Sequence, residues 1–304
     1  MTTGRGDFCF TIDRRWAKLP ANKRFGTTHG IAEDSAGRIF VFHTAPECVF
    51  LFSPSGDFLG SWGADYFAGA HGMDIRQEAE GEFLYLTSSS AGVVVKATLA
   101  GEEVLRLGKP PRPDIYDGNR TYQPTETAVA KNGDIFVADG YGQYWVHHFS
   151  PRGEYIASFN GAPNTLDNPH GIGIDTRSGD ERLLVVDRGH HVLRTFDLNG
   201  RPLDIIDAGL RFPCSAVQSG DFLYVPDLHS RVTVLDRADR PVAQIGDWPG
   251  RWEAPGWPNL ANDDGGERVS SPHDLAIDAA GNIYLAEWHS DGTGDVAKLT
   301  RLAR

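Results

Sequence analysis

At 304 residues and 40% hydrophobic, the chain can bury a large core, within the size of one or two domains and of one large all-β unit. A net charge of -12, from acids scattered along the chain, sets repulsion against a phosphate backbone, so no nucleic-acid partner is expected. No stretch approaches the roughly 18 consecutive apolar residues of a membrane helix, so no membrane partner is expected.

The chain opens on "MTTGRGDFCF", which has no apolar signal core behind a basic start. Cys9, Cys48 and Cys214 are odd in number and lack CxxC spacing, which suits a reducing cytoplasm. The run Phe8–Asp13 is strand-length. Next comes "THGIAEDSAGRIFVFH" from Thr28, two short β-prone runs about a glycine turn. The arrangement returns from Ala70, Pro124, Pro169, Pro213 and Ser270, the last as "SSPHDLAIDAAGNIYLAEWH". A third run follows each copy, as in "HVLRTFDLNG", and usually a fourth, as in "VAQIGD". Six copies at periods of about 40 to 50 residues predict a six-bladed β-propeller of four-stranded antiparallel blades, one domain over 1–304. The sixth copy lacks a fourth run, so residues near Phe8–Asp13 are expected to complete it and close the ring.

One marker position heads the first strand of each copy: His29, His71, Thr125, His170, Cys214 and His273. With "PTETAVAKNGDIFVADGYGQYWVHHFSPRGEY", "PHGIGI", "LLVVDRG", "PHDLAIDAAGNIYLAE" and the early "RRWAKLP", the repeats look like NHL repeats, and their order resembles the peptidyl-α-hydroxyglycine α-amidating lyases. That resemblance implies a zinc ion held on the propeller axis by His71, His170 and His273. It also implies a catalytic tyrosine at Tyr141, an arginine at Arg188, and a structural calcium at Asp274 with backbone carbonyls near Ile31 and Met73. The sequence departs from the family pattern where Thr44 replaces an arginine, Ser271 a methionine and Gly142 a disulfide cysteine. After Arg188 the chain reads Gly189 and His190, where the relatives often carry Glu-Asn.

The spacing gives its own argument for a metal. Alternate blades of six lie one third of a turn apart, so equivalent side chains of blades two, four and six converge on the axis. Three neutral imidazoles with a vacant fourth position make a catalytic zinc site, with iron or manganese as competing ions. The plainer reading is that each histidine caps a strand by donating to a neighbouring carbonyl. His29 has three readings: a fourth ligand, a donor behind the ligands, or a strand cap. Cys214 reads as a small filler of the axis.

Residues ending the second strands share the histidine rim, which places His43, Asp139, Tyr141, Asp187, Arg188, Asp227, His229, Glu287 and His289 around one mouth as candidate substrate contacts or supports. Tyr141 is either a general acid or base or an aromatic gasket. Arg188 has the fork for a substrate carboxylate, with pairing to Asp187 or Asp139 as the alternative. The irregular stretch 247–269 carries Trp248, Trp252 and Trp257, either a lid or wall for an apolar substrate part or rim packing. Two function classes follow. One is a metal-dependent lyase splitting an α-hydroxyglycine-like carbinolamide into amide and glyoxylate, with hydrolysis of a lactone or ester as its neighbour. The other is a non-catalytic platform for a protein or small ligand.

Overall fold

Turn chemistry makes the repeat. Asp34, Asp197, Asp236 and Asp278 each accept the backbone amides two and four residues on, at 2.8 to 3.0 Å. The residue three places on then takes a left-handed φ: +76° at Gly37, +82° at Gly200, 58° at Asp239 and +80° at Gly281. This aspartate turn reverses one β-prone run onto the next at no cost in exposed backbone.

The computed structural model describes residues 2–258 and 266–303. Six sheets result, all antiparallel meanders. Blade one is Thr28–Glu33, Ile39–His43, Val49–Phe52 and Phe58–Trp62. The first strands of blades two to six are Ala70–Glu78, Glu126–Val129, Pro169–Asp175, Val217–Ser219 and Pro272–Ile277. Each of these lies against the first strand of the next blade, and the last meets the first, so six strands wall one axial channel.

Apolar residues gather at the six junctions between neighbouring blades. A blade is covered on both faces, which is why second strands such as Ile39–His43 and Ile135–Ala138 are buried throughout. The ring closes as the sequence predicts: Phe8–Asp13 pairs with Gly294–Arg301, Phe10 opposite Arg301 and Asp13 opposite Lys298. A further strand, Thr2–Arg5, which the sequence reading did not anticipate, pairs outside it. It ties blade six to blade five, since Thr3 Oγ1 accepts the Gly246 amide at 2.8 Å and Arg5 Nε donates to the Val242 carbonyl at 3.1 Å. Among the described residues no helix is long and apolar enough to cross a membrane.

Candidate metal centre

The marker histidines sit on bulges. In blades one, two, four and six the pairing register slips between Thr28 and Gly30, Ala70 and Met73, Pro169 and Gly171, and Pro272 and Asp274. A bulged residue is freed from the pleat and re-aimed, here towards the axis. The glycine behind the histidine has a separate task. A Cβ on Gly72 would stand 2.4 Å from the Thr125 carbonyl oxygen, and one on Gly171 would stand 2.6 Å from that of Cys214. These same two oxygens receive the histidines: His71 Nδ1 donates to Thr125 at 2.7 Å and His170 Nδ1 donates to Cys214 at 2.8 Å. His273 Nδ1 donates to the His29 carbonyl at 3.0 Å. The odd-numbered blades thus supply the carbonyls that orient the imidazoles of the even-numbered ones.

Anchoring through Nδ1–H leaves each Nε2 as a lone pair, the form in which imidazole binds a metal. The three rings make a near-equilateral triangle, with centroids 4.7, 5.0 and 5.0 Å apart. The plainer reading of the sequence, that each histidine donates to a neighbouring carbonyl, therefore holds together with convergence on the axis.

Tyr141 completes this side. The residue is 40% exposed. Its hydroxyl reaches in to His71 Nε2 at 3.1 Å and His170 Nε2 at 2.9 Å. A phenol has one proton to donate, so one contact sets lone pair against lone pair. A cation among these atoms removes the conflict, and this is the local evidence that the donor set fits a metal.

Going round the axis, the remaining polar groups come from blades one and five. The His29 ring lies 4.9 Å from that of His71 and 4.7 Å from that of His273. Ligand atoms of His29, His71 and His273 lie within 4.8 Å of one another, as do those of His170, Cys214 and His273. Arg188 is buried, its Nε donating to the Pro213 carbonyl at 3.1 Å, its Nη2 to Cys214 Sγ at 2.9 Å, and its plane 4.6 Å above the Phe212 ring. The pairing with Asp187 or Asp139 left open by the sequence is not the one formed.

Burial sets the charge state. His71, His170 and His273 are pushed well below the ordinary imidazole range, first by burial and then by neighbouring positive charge. His29 is lowered to about 4, chiefly by burial. Burial also raises the Tyr141 hydroxyl, and the adjacent Arg188 only partly counters it. The protein alone therefore keeps Tyr141 a proton donor.

The other rim candidates divide. His43, Asp187 and Asp227 end a second strand, Asp139 directly follows one and Glu287 stands last but one in another, and all are buried pins for the loop that precedes a first strand. His43 Nδ1 accepts the amides of Gly26 and Ala45 at 3.3 and 3.2 Å. Asp139 accepts those of Gln123 and Gln143 at 2.7 and 2.6 Å, and Asp187 that of Asp167 at 2.9 Å. Asp227 takes Arg211 at 2.6 Å and Phe212, while Glu287 takes Ser270 at 2.5 Å and Ser271 at 3.3 Å besides pairing with Arg14. His289 lies in the turn after Ile283–Trp288, half-buried. His229 stacks between Phe212 and Trp252, with centroids at 5.0 and 4.6 Å, and stands edge-on to Trp257 at 4.7 Å. Of the stretch 247–269, residues 259–265 lie outside the described residues. Thr44, in the missing arginine's place, accepts the Thr27 amide through Oγ1 at 2.9 Å.

Two acids escaped the sequence reading. Below the histidine layer the channel holds a cavity of about 470 Å³, lined in part by Asp74, Glu126, Ser215 and Asp274, and touching none of the histidines. Asp274 accepts the Ser215 hydroxyl at 2.7 Å and the Ile31 amide at 3.1 Å. Burial raises Asp274 to about 7, and raises Glu126 well above its ordinary value with the charge of Asp274 adding to it. The signal was present as an acid one place after Thr125 and three places after His71.

No family model matches the chain. It is 25% identical over 88% of its length to peptidyl-alpha-hydroxyglycine alpha-amidating lyase 1 of Drosophila melanogaster, of which it spans 56%. In fold it is similar to virginiamycin B lyase from Staphylococcus aureus, at TM-score 0.63 and 13% identity, covering 96% of this chain and 100% of that one. It is similar also to a gluconolactonase from Xanthomonas campestris, at TM-score 0.63 and 15% identity, covering 91% of this chain and 86% of the other. The chain is a six-bladed β-propeller that resembles the peptidyl-α-hydroxyglycine α-amidating lyases.

Proposed function

We propose that the protein is a metal-dependent lyase, with zinc as the metal, that splits an α-hydroxyglycine-like carbinolamide into an amide and glyoxylate. The observation that carries this is the convergence of three carbonyl-anchored imidazoles on the axis, two of them, His71 and His170, meeting the Tyr141 hydroxyl. A zinc ion held by His71, His170 and His273 would supply a Lewis acid for the substrate hydroxyl oxygen. The C–N bond breaks as the hydroxyl becomes a carbonyl, and the leaving nitrogen gains the proton that the hydroxyl loses. Tyr141 is the group placed to carry that proton. Arg188, locked by Pro213, Cys214 and Phe212, offers its fork to the substrate carboxylate.

In this reading Asp274, with Glu126 and Asp74 around the same cavity, holds a calcium ion below the active layer. The setting is cytoplasmic. The full chain, dialysed and assayed for bound metal, is expected to carry about one zinc, lost in His170→Ala. It is expected to release glyoxylate from an N-acyl-α-hydroxyglycine. Equal trace metal in both proteins removes the enzyme and leaves the binding platform. Metal with lactone cleavage but no glyoxylate assigns the site to the hydrolase.

A further inference from the structure

We infer that His29 is a fourth nitrogen ligand, so that the axial ion is held by His29, His71, His170 and His273 and presents its remaining face to an anionic substrate group. This rests on the metal reading above and adds to it a ligand that the three-histidine pattern does not contain.

Position is the first ground. The His29 ring stands 4.9 and 4.7 Å from His71 and His273, the spacing those rings keep from each other and from His170. Its ligand atom lies within 4.8 Å of those of His71 and His273, and His273 in turn groups with His170. The second ground is an unmet need. His29 Nδ1 is buried and has no hydrogen-bond partner of its own among the described residues, although the Thr27 backbone acts on the ring. Each of the other three histidines has its Nδ1 on a carbonyl. A buried polar nitrogen without a partner is costly, and a metal or its bound ligand would satisfy it.

The rival fourth ligand, Cys214, is already engaged. Its Sγ receives Arg188 Nη2 at 2.9 Å and sits 3.8 Å from the Phe212 carbonyl. Four neutral imidazoles would leave the charge of a divalent ion uncancelled, and Arg188 adds another positive charge beside it. A carboxylate or an ionised hydroxyl is the substrate group that such a centre attracts. An all-nitrogen set also selects zinc, cobalt, nickel, copper or iron over calcium and magnesium.

The test loads the metal-free full chain with zinc against a competing chelator, and separately with cobalt for its visible spectrum. His29→Ala and the size-keeping His29→Gln are expected to hold zinc about two orders of magnitude more weakly. Their cobalt forms should absorb more strongly, as a lower coordination number requires. Thermal unfolding of each variant checks that it is folded. Wild-type affinity and spectrum in both His29 variants would overturn the inference, as would a loss found in Cys214→Ala instead. If the wild type itself takes up no metal, the metal reading falls and this one with it. Retention in both His29 variants with loss in His170→Ala would sink the fourth ligand alone.

Discussion

Gly171 shows how a residue without a side chain can hold a functional group. Its missing Cβ is the space into which the Cys214 carbonyl comes close enough to receive His170 Nδ1. Gly171→Ala puts a methyl 2.6 Å from that oxygen. The strand must move, at about 1–3 kcal/mol of overpacking, and the imidazole loses its anchor. Urea unfolding and zinc content are expected to fall together in this variant. A stable Gly171→Ala protein with full zinc would show that the anchor is dispensable. Titration also belongs at this scale. Burial holds His43 and His147 at about 3 in the fold, against about 6.5 unfolded. A depressed folded value gives stability that is complete above about pH 6.5 and lost as the pH falls towards 3, at about 1.4 kcal/mol per unit for each group. Asp139 runs the other way. Raised to about 6 by burial, it adds stability below its unfolded value near 3.8 that disappears as the pH rises through 6. Between pH 6 and 4 it offsets one histidine, so Asp139→Asn is expected to steepen the acid loss seen in urea midpoints at pH 7 and 5.

Among elements, the closing strand matters most. Phe8–Asp13 comes from the far end of the chain and gives blade six its outer strand, so the ring depends on one pairing between residues near positions 10 and 301. Phe10 is fully buried between blades five and six, in one cluster with Val232, Leu285 and Leu299. Phe10→Ala is expected to cost about 3–5 kcal/mol by denaturant unfolding. Removing residues 1–13 exposes Gly294–Arg301 as a free edge, and light scattering should then report association. A truncated chain that stays monomeric with unchanged stability would mean the closure is ornamental. Within blades, the second strands could be read from the sequence because each carries a short apolar run, such as residues 39–42 or 183–186. Thr2–Arg5 could not, because "TTGR" is polar and its place is set by contacts with Gly246 and Val242.

Across the whole molecule the axial channel is organised in layers: histidines at one level, and carboxylates of Asp74, Glu126 and Asp274 in the cavity beneath. Asp274 and Glu126, both raised by burial and Glu126 further by the charge of Asp274, need a cation or protons. Calcium at saturating concentration is expected to raise the melting temperature of the chelator-treated protein, by mass action on the folded state. Glu126→Gln should shrink that response and make the calcium-free protein more stable. An unchanged melting temperature with calcium would leave the cavity without its proposed ion.

The repeat, the number of blades, the closing run and the three histidines could all be read from the sequence. They rest on local patterns, a period of strand and turn residues and one marker at one phase, and a ring converts equal phase into convergence on the axis. The end-of-strand carboxylates looked equally like site residues in the sequence. Tertiary structure turned Asp139, Asp187, Asp227 and Glu287 into pins for loop amides, because a buried carboxylate takes the nearest unpaired N–H. Only tertiary structure could set the Thr125, Cys214 and His29 carbonyls behind the imidazoles, since each comes from the next blade. It likewise brought the second acid, Glu126, into the cavity of Asp274, a contact between blades that no local pattern encodes.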